Sequence, residues 1–512
     1  MSAESSAGVD PSGARAVALG LDGALGEGPA DVLVRTAFAG ELLAQATLVG
    51  DLSLADLAHT VMLVEGDVIP SEAGARTLAA LLELHGRPGS LTLDPAGGDA
   101  YTNREAWLLA YDPATAWLGA GRARREATTT AFHLATRRRL VRLVGALLAM
   151  GSALVERATI EQATLVPDYT YLQAAQPTTF GHYLLGFVGP IRRDLDRAIA
   201  LFERVDRSPA GIGSGNGSLI PQDRERLAAL LGFGGLVDHG RDAVWPVDLT
   251  IEAGALAAAA AVNLDRLAED LLVFASGPFG FVELADSHAR ASRVLPQKRN
   301  PFALTHVRAV ANRAIGHQAA IAAAGRMPTG QPDTRSVAAA ATADALDEVT
   351  GAAELLSAVV RTMRIDAERC LAALASSDAA ASDLAAVLVR DGGGAVDVRS
   401  AHRVVARLVA DLRASGRPLG RAEEADLLAA AAAVGVAVTV PHGQLRSALD
   451  PQAAVDARIG TGGASPSAMA ALLEGDRAAL ARAETWRATS TVRLVAAETA
   501  LVARARTLAG RP

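Results

Sequence analysis

The sequence predicts an all-α protein built from long helices. Hydrophobic residues make up 50% of the 512 residues, whereas aromatic residues make up only 4%, so alanine, leucine and valine fill most apolar positions. Alanine and leucine favour helix, and few β-branched or aromatic runs remain to form a sheet. Several segments of about 25 to 35 residues carry a helical apolar pattern, which is longer than an ordinary globular helix. Their wide apolar stripes indicate a helix bundle that is shared between subunits.

The N-terminal part is expected to begin with a leader, and helices are expected after it. The first residues are rich in Gly, Ala, Ser and Asp without a period, and Asp22 interrupts their only apolar run. This composition predicts a disordered leader over residues 1–30 and not a signal peptide. Two amphipathic segments follow over residues 52–85, and they meet at Pro70 and Ser71, which indicate a helix start.

The middle of the chain has the longest helical patterns. They cover residues 127–164, 178–205, 247–276, 302–326 and 337–363. Glycines alternate over residues 208–221, as in some phosphate loops, but no strand precedes them and no Gly-Lys-Ser/Thr follows. A second glycine-rich break at residues 391–394 separates three further helical patterns over residues 399–414, 423–434 and 466–508.

These breaks divide the chain into three predicted helical domains after the leader. The N-terminal domain is expected over residues 31–121, the central long-helix bundle over residues 122–385 and the C-terminal domain over residues 386–512. A chain of this length exceeds one compact core, so a division into two or three units is expected on size alone.

Composition restricts the partners and the cellular compartment. The net charge of −7 disfavours nucleic acid and anionic membranes, and the longest apolar run, over residues 253–262, suits a buried helix better than a membrane span. Cys370 is the only cysteine, which excludes an intramolecular disulfide and fits a cytoplasmic protein. The ten histidines are scattered without metal-binding spacing, so neither a metal nor a cofactor is expected.

A polar loop between two long helices is the strongest candidate for chemistry. Residues 291–301 read Ala-Ser-Arg-Val-Leu-Pro-Gln-Lys-Arg-Asn-Pro and match neither helix nor strand. Pro296 and Pro301 push the residues before them out of the α region, and Ser292 precedes Lys298 by six residues. A hydroxyl, an ammonium and an amide between buried helices favour catalysis, with a proline-rich surface turn as the alternative.

Three stretches in chain order match the pattern of one family. Residues 292–301 resemble the signature GSSxMPxKxNP, residues 168–177 resemble GYTHLQxAQP, and residues 121–126 are similar to TGRSRND. Weaker support comes from residues 99–108, which resemble DVHxxxExRL. From about residue 54 to residue 508 the chain therefore resembles the argininosuccinate lyase branch of the fumarase/aspartase superfamily.

This resemblance implies a fold, an assembly and a reaction. The expected fold is all-α with three domains of the fumarase/aspartase type, and the long central helices would associate as a homotetramer with a 20-helix core. Each active site would take one motif from each of three subunits. The family reaction is a β-elimination by a carbon–nitrogen lyase, which removes a leaving group from a small anionic carboxylic acid and generally gives fumarate.

The resemblance also assigns roles to individual residues. Ser292 matches the family serine and would be the base; because a serine hydroxyl is a weak base, its ionised form would need Lys298, Arg293 and loop amides nearby. The residues expected to bind the substrate carboxylate are Lys298, Asn300, Thr170 and Gln173. The alternative for each is a capping or loop-packing role.

Several positions depart from the family pattern. Tyr171 replaces the histidine of GYTHLQ, and Tyr101 replaces the histidine of DVH. With an ordinary pKa near 10, a tyrosine is a poorer proton shuttle than imidazole. Tyr171 is therefore a modified acid, or the leaving group needs little protonation, or the residue fills space in a degenerate enzyme.

Arginines are added around the expected site. Arg124 is retained, Arg125 replaces the family asparagine, and Arg293 is gained in the loop. The pattern that accompanies the arginine end of argininosuccinate is shortened over residues 328–335, and no clear acidic residue near the N-terminus is placed to hold an ammonium. Together these changes favour a substrate more anionic than argininosuccinate, although an extra arginine is usually a solvated surface residue.

The leading hypothesis is a cofactor-independent lyase that acts on a succinyl- or aspartate-derived acid and releases fumarate or a close relative. A leaving group that is stable as an anion, such as nitrite from a nitrosuccinate-type acid, would explain both the missing histidine and the added arginines. The alternatives are a carboxymuconate-type cycloisomerase, argininosuccinate lyase proper and a catalytically silent family member.

Overall fold

The structure is a computed structural model that describes residues 11–21, 23–244, 246–326, 334–392, 394–439 and 443–510. In the N-terminal part the helices are α1 (Pro11–Ala18), α2 (Asp31–Leu33), a π-helical turn (Val34–Phe38), α3 (Ala39–Gln45), α4 (Val49–Glu65), α5 (Ser71–Gly86) and α6 (Ala100–Tyr111). Short 3-10 turns lie at Ala46–Leu48, Pro88–Ser90, Pro95–Gly97 and Pro113–Gly119.

The central part contains the longest helices and three short antiparallel strand pairs. Its helices are α7 (Arg124–Ile160), α8 (Phe180–Leu185), α9 (Val188–Val205), α10 (Arg224–Leu230), α11 (Gly240–Val244), α12 (Asp248–Phe274), α13 (Phe302–Ala324) and α14 (Thr334–Thr362). Its strands are β1 (Leu165–Thr170), β2 (Gln173–Thr179), β3 (Val282–Glu283), β4 (Arg290–Ala291), β5 (Arg299–Asn300) and β6 (Arg364–Ile365). Strand β1 pairs with β2, β3 with β6 and β4 with β5.

The C-terminal part is helical again. It contains α15 (Ala367–Ser376), α16 (Ala381–Asp391), α17 (Val398–Ala414), α18 (Glu424–Ala433), α19 (Gln444–Ala448), α20 (Pro451–Asp456) and α21 (Pro466–Leu508). The predicted all-α class is confirmed, and the helices predicted from the apolar periodicity agree with α4, α5, α7, α12, α13, α14, α17, α18 and α21.

Five long helices form the central bundle. Helix α13 packs against α12 and α14, α14 packs against α7, and α9 packs against both α7 and α12. Along α12, Ala253, Ala257, Ala260 and Ala261 are fully buried. Because alanine adds little bulk, neighbouring helices can approach closely and bury a continuous core.

Two helical stretches, Asp31–Glu65 and Arg124–Ile160, are long and apolar enough to cross a membrane by length and composition alone, and the bent pair of α15 and α16 would add a third. In this fold 61% of the apolar 18-residue stretch of α7 is buried inside the subunit. There α7 packs against α9, α14 and α21. The absence of a membrane partner stays a prediction.

Three segments differ from the predicted secondary structure. The polar connector after α7 is a hairpin of β1 and β2, and the single helix expected over residues 178–205 is split into α8 and α9 beside Gly186. Part of the expected leader is helical: α1 packs on α6 and buries Ala14, and Arg15 pairs with Asp94 at 2.8 Å. These tertiary contacts offset the low local propensity of the segment.

Helix α21 connects two cores. Ser465 caps its N-terminus by accepting a hydrogen bond from the backbone N–H of Ala468 at 3.3 Å. Near this end, Leu473 belongs to the central core, whereas Leu501 near the other end belongs to the core of α4 and α5. Close to its end, Arg504 donates to Glu65 of α4 at 2.7 Å.

Asp51 on α4 provides a pH-dependent element of stability. Burial raises the pKa of its carboxyl from 3.8 to about 6, although Arg138 hydrogen-bonds to it and lowers the pKa in part. The folded-state pKa lies above the unfolded value. At pH values between the two, a larger fraction of the folded protein than of the unfolded protein therefore carries this proton. The free energy of unfolding therefore falls as the pH rises from about 4 to about 6.

We expect Asp51→Asn to remove this dependence and to stabilise the protein above pH 6, by at most about 3 kcal/mol for a shift of two pKa units. The measurement is chemical denaturation of wild type and variant at several pH values from 4 to 8. Asp347→Asn is the matched control because Asp347 is 40% exposed and also pairs with arginine. Parallel pH profiles of wild type and Asp51→Asn would contradict the expectation.

Candidate active site

The loop that contains Ser292 is held as a hairpin between α12 and α13. In it, Arg290 pairs with Asn300 and Ala291 pairs with Arg299 across β4 and β5. The backbone N–H of Ser292 donates to the carbonyl of Lys298 at 3.0 Å, so these two residues face each other at the open end of the ladder.

The hydroxyl of Ser292 lies at the centre of a tight turn. Its Oγ accepts the backbone N–H of Leu295 at 3.0 Å and that of Val294 at 3.3 Å. Both residues are exposed, with Val294 at 83%. Amide donors aimed at an oxygen favour its charged form, so this turn would assist ionisation of the Ser292 hydroxyl.

The other polar residues of the hairpin divide into anchors and exposed groups. Asn300 donates from Nδ2 to the carbonyl of Arg290 at 3.0 Å, and Arg299 pairs with Glu283 at 2.7 Å. In contrast, Arg293 and Lys298 are exposed, and among the described residues their side chains make no hydrogen bond or ion pair. Two cations therefore remain available beside Ser292.

Tyr171 projects from the tip of the β1–β2 hairpin. Thr170 pairs with Gln173 at the last rung, and the two turn residues, Tyr171 (φ 54°) and Leu172 (φ 57°), both have left-handed backbone. Positive φ at both central positions is the geometry of a type I′ turn. Tyr171 is 99% exposed, so its own subunit leaves the side chain almost uncovered. Thr170 and Gln173 are exposed beside it.

The arginines of the third motif begin α7. Arg124 is 57% exposed and lies 3.3 Å from the carboxylate of Asp99. A cavity of about 260 Å³ adjoins this helix start. Its polar lining comprises Glu41, Gln45, Asp99, Arg124, Arg125, Thr128, Thr129, Ser214 and Thr250. The cavity therefore combines two guanidinium groups with two carboxylates, and Arg124 already pairs with Asp99. Glu41 is an acidic residue of the N-terminal part beside these arginines, whereas the sequence predicted none there.

Tyr101, which the resemblance places among the substrate-binding residues, is buried within its own subunit. Only 8% of it is exposed, and the guanidinium of Arg122 lies 5.8 Å from its ring centroid. Burial raises the pKa of Tyr101 further above its ordinary value. The residue belongs to a small buried cluster with Ala127 and Ala131 of α7.

Comparisons with known proteins identify the family of this chain. Residues 98–316 match a protein family described as lyase. The argininosuccinate lyase of Halobacterium salinarum is 34% identical over 438 residues, which cover 83% of this chain and 87% of the relative. The argininosuccinate lyase of Methanococcoides burtonii is 31% identical over 435 residues, covering 84% of this chain and 87% of the relative.

The chain belongs to the argininosuccinate lyase branch of the fumarase/aspartase superfamily. It is a carbon–nitrogen lyase, and its reaction is a superfamily β-elimination. A solved EDDS lyase in complex with formate aligns with a TM-score of 0.83 at 27% identity, covering 94% of this chain and 97% of that one. A class II fumarase from Schistosoma mansoni shares the fold, with a TM-score of 0.69 at 14% identity and coverage of 86% and 94%.

In one subunit of this lyase the three motifs lie on separate elements. Ser292 belongs to the hairpin before α13, Tyr171 to the hairpin before α8, and Arg124 and Arg125 to the start of α7. The residues lining the cavity at Arg124 include none from either hairpin. The stretch 328–335, where the family pattern is shortened, lies outside the residues whose side chains are described.

A buried ion cluster behind the arginine motif escaped the sequence analysis. Asp56 on α4 accepts hydrogen bonds from Arg104 and Arg122, each at 2.6 Å, and all three side chains are at most 2% exposed. Ser53 accepts a further bond from Arg104 at 3.0 Å. Arg122 lies in the motif of residues 121–126, and this was the one sequence feature that pointed to a role for Arg122.

Proposed function

We propose that this lyase acts on a succinyl- or aspartate-derived anionic acid and releases fumarate or a close relative. The observation that carries the proposal is the Ser292 turn, in which two backbone amides donate to Oγ and Lys298 lies across the hairpin. This arrangement suits a serine that must become an alkoxide, because donors and a cation lower the free energy of the charged form.

The elimination would proceed in two steps. The Ser292 alkoxide takes a proton from the carbon next to a carboxylate, and the electron pair moves into that carboxylate to give a doubly charged aci-form. Lys298 and Asn300 would stabilise this charge, together with Thr170 and Gln173 of another subunit. When the electron pair returns, a carbon–carbon double bond forms and the leaving group departs with the electrons of its own bond.

The leaving group is proposed to be stable as an anion. Tyr171 stands in place of the family histidine, and a tyrosine hydroxyl is a weak proton donor at neutral pH. Arg125 adds positive charge where the family has an amide. Nitrite leaving from a nitrosuccinate-type acid would need no proton, and an arginine side chain would attract it. The leaving group of argininosuccinate is cationic, so an added arginine would not stabilise its departure.

The test is to incubate the pure protein with nitrosuccinate, aspartate, N-succinyl amino acids and argininosuccinate, and to follow fumarate by its ultraviolet absorbance and nitrite colorimetrically. We expect equimolar fumarate and nitrite from nitrosuccinate, and turnover of argininosuccinate at least about 100-fold slower, which is a typical cost of losing a proton donor. Turnover of argininosuccinate as fast as that of the best acid would overturn this specificity.

Argininosuccinate lyase proper is the second candidate, because relatives with that name are 34% and 31% identical over most of the chain. The same panel separates the two functions. A cycloisomerase has weaker support, since the 3-carboxy-cis,cis-muconate lactonizing enzyme of Pseudomonas putida shares only the fold at 21% identity. It would yield one product and no fumarate.

The proposed assembly is a homotetramer. One face of α13 is exposed along its length and consists of small or polar residues: Thr305, Asn312, Gly316, Ala319 and Ala323. Ile315 beside this face is 51% exposed. A helix surface of this kind allows close packing against α13 of another subunit, and the separated motifs would meet across such contacts.

We expect Ala319→Glu to dissociate the tetramer, because four carboxylates would be forced into one helical contact. Light scattering coupled to size-exclusion chromatography reports the mass, and activity should fall with it if the site is shared. Ala410→Glu, on an exposed face of α17, is the control and should change neither. A fully active Ala319→Glu monomer would contradict the shared site.

A further inference from the structure

The glycine-rich loop before α10 forms a binding site for an anion. Gly211, Gly213, Gly215 and Gly217 have φ values of 81°, 64°, 115° and 87°. L-residues with a side chain rarely adopt this backbone. Alternating left-handed residues turn successive N–H groups towards one point and create a concavity for negative charge.

The anion in this concavity is the carboxylate of Glu126. Gly211 donates its N–H to one oxygen at 2.8 Å, and Gly213 donates to the other at 2.5 Å. Glu126 is 1% exposed; burial raises the pKa of its carboxyl, while the two amides and Arg122 oppose that rise. The loop that resembled a phosphate site by sequence therefore binds a side chain of its own protein.

This contact ties the loop to the start of α7. Glu126 follows Arg124 and Arg125 directly, so its carboxylate fixes the loop beside the two arginines. The loop is closely packed on itself at this point, because a Cβ at Gly213 would lie 3.0 Å from the carbonyl oxygen of Gly217. Ser214 sits between two of these glycines, is exposed, and lines the cavity together with the arginines.

We propose that Ser214 binds the second carboxylate of a dicarboxylic substrate, beside Arg124 and Arg125, and that Glu126 is the positioning residue that holds Ser214 there. The inference rests on the proposed function, because the ligand is the acid that undergoes elimination. The first carboxylate is bound by the hairpin residues, so a contact at the arginine cavity selects acids that carry a second one. The guanidinium groups attract the carboxylate, and a hydrogen bond from the serine hydroxyl would fix its orientation.

The test compares Ser214→Ala, Glu126→Gln and the double variant in the tetrameric enzyme. We expect Ser214→Ala to raise KM about tenfold with kcat changed less than twofold, as for loss of one hydrogen bond to a charged group. Glu126→Gln should raise KM similarly, and the double variant should equal Ser214→Ala, because Glu126 acts through Ser214. Ser218→Ala, a serine of the same loop outside the cavity lining, is the control.

An unchanged KM in Ser214→Ala, or additive effects in the double variant, would overturn the inference while the proposed function stands. If wild type eliminates none of the acids, the proposed function fails. The contact of Ser214 with a carboxylate is then tested separately by measuring the affinity for fumarate calorimetrically. About tenfold weaker fumarate binding by Ser214→Ala than by Ser218→Ala would then support the contact. Equal binding by the two variants, or none by wild type, would overturn it.

Discussion

Replacing Ser292 with alanine should lower kcat about 1,000-fold, within the range that a positioned general base contributes. The variant loses the oxygen that accepts the backbone N–H groups of Val294 and Leu295. KM should change little, since Lys298 and Asn300 remain to bind the carboxylate. The measurement is the initial rate of fumarate formation at saturating acid, together with KM from the same progress curves.

Ser276→Ala is the matched control for this experiment. Ser276 also carries a hydroxyl that bonds locally, donating to the carbonyl of Val273 at 2.6 Å at the end of α12, but it lies outside the hairpin. Its loss should leave kcat within a factor of two. If Ser292→Ala keeps more than a tenth of the wild-type kcat, the serine caps the turn and another group is the base. Unchanged properties throughout would favour a catalytically silent protein.

Replacing Asp56 with asparagine should destabilise the subunit by about 3–5 kcal/mol, the usual cost of removing one partner from a buried ion pair. Asp56 is the carboxylate shared by Arg104 and Arg122, and no more than 2% of any of these side chains is exposed. Without it, two guanidinium groups would be buried with reduced compensation. Denaturation by urea, followed by circular dichroism, gives the change in the free energy of unfolding.

Asp347→Asn tests whether burial is the cause. Asp347 also accepts hydrogen bonds from two arginines, Arg139 and Arg142, but it is 40% exposed. Water compensates most of this loss, so we expect a change below about 1 kcal/mol. Equal destabilisation by the two substitutions would show that the pairing itself, and not its burial, determines the cost at Asp56.

Sequence alone could predict most of the helical fold. Alanine- and leucine-rich stripes with a helical period marked α7, α12, α13 and α14, and the polar breaks between them were clear. The β1–β2 hairpin was missed because its residues do not alternate between apolar and polar. Its turn also contains Tyr171 and Leu172 instead of Asn-Gly, the dipeptide that usually predicts a two-residue hairpin turn.

From sequence, a candidate site could be proposed only where its residues are close together in the chain. Ser292, Lys298 and Asn300 lie within nine residues of one another, so a motif could identify them. In contrast, the contact of Glu126 with Gly211 spans 85 positions, and that of Asp56 with Arg122 spans 66. Such pairs depend on how helices pack, and no local pattern records that packing.

Helix α21 also has a consequence for the order in which this protein is made. Leu501 and Ala505, near its end, belong to the same core as α4 and α5, which lie more than 400 residues earlier. A ribosome adds residues from the N-terminus onwards, and domains generally fold as units when their parts are available. Helices α4 and α5 must therefore wait for nearly the last residues, and part of their apolar surface stays uncovered during most of translation.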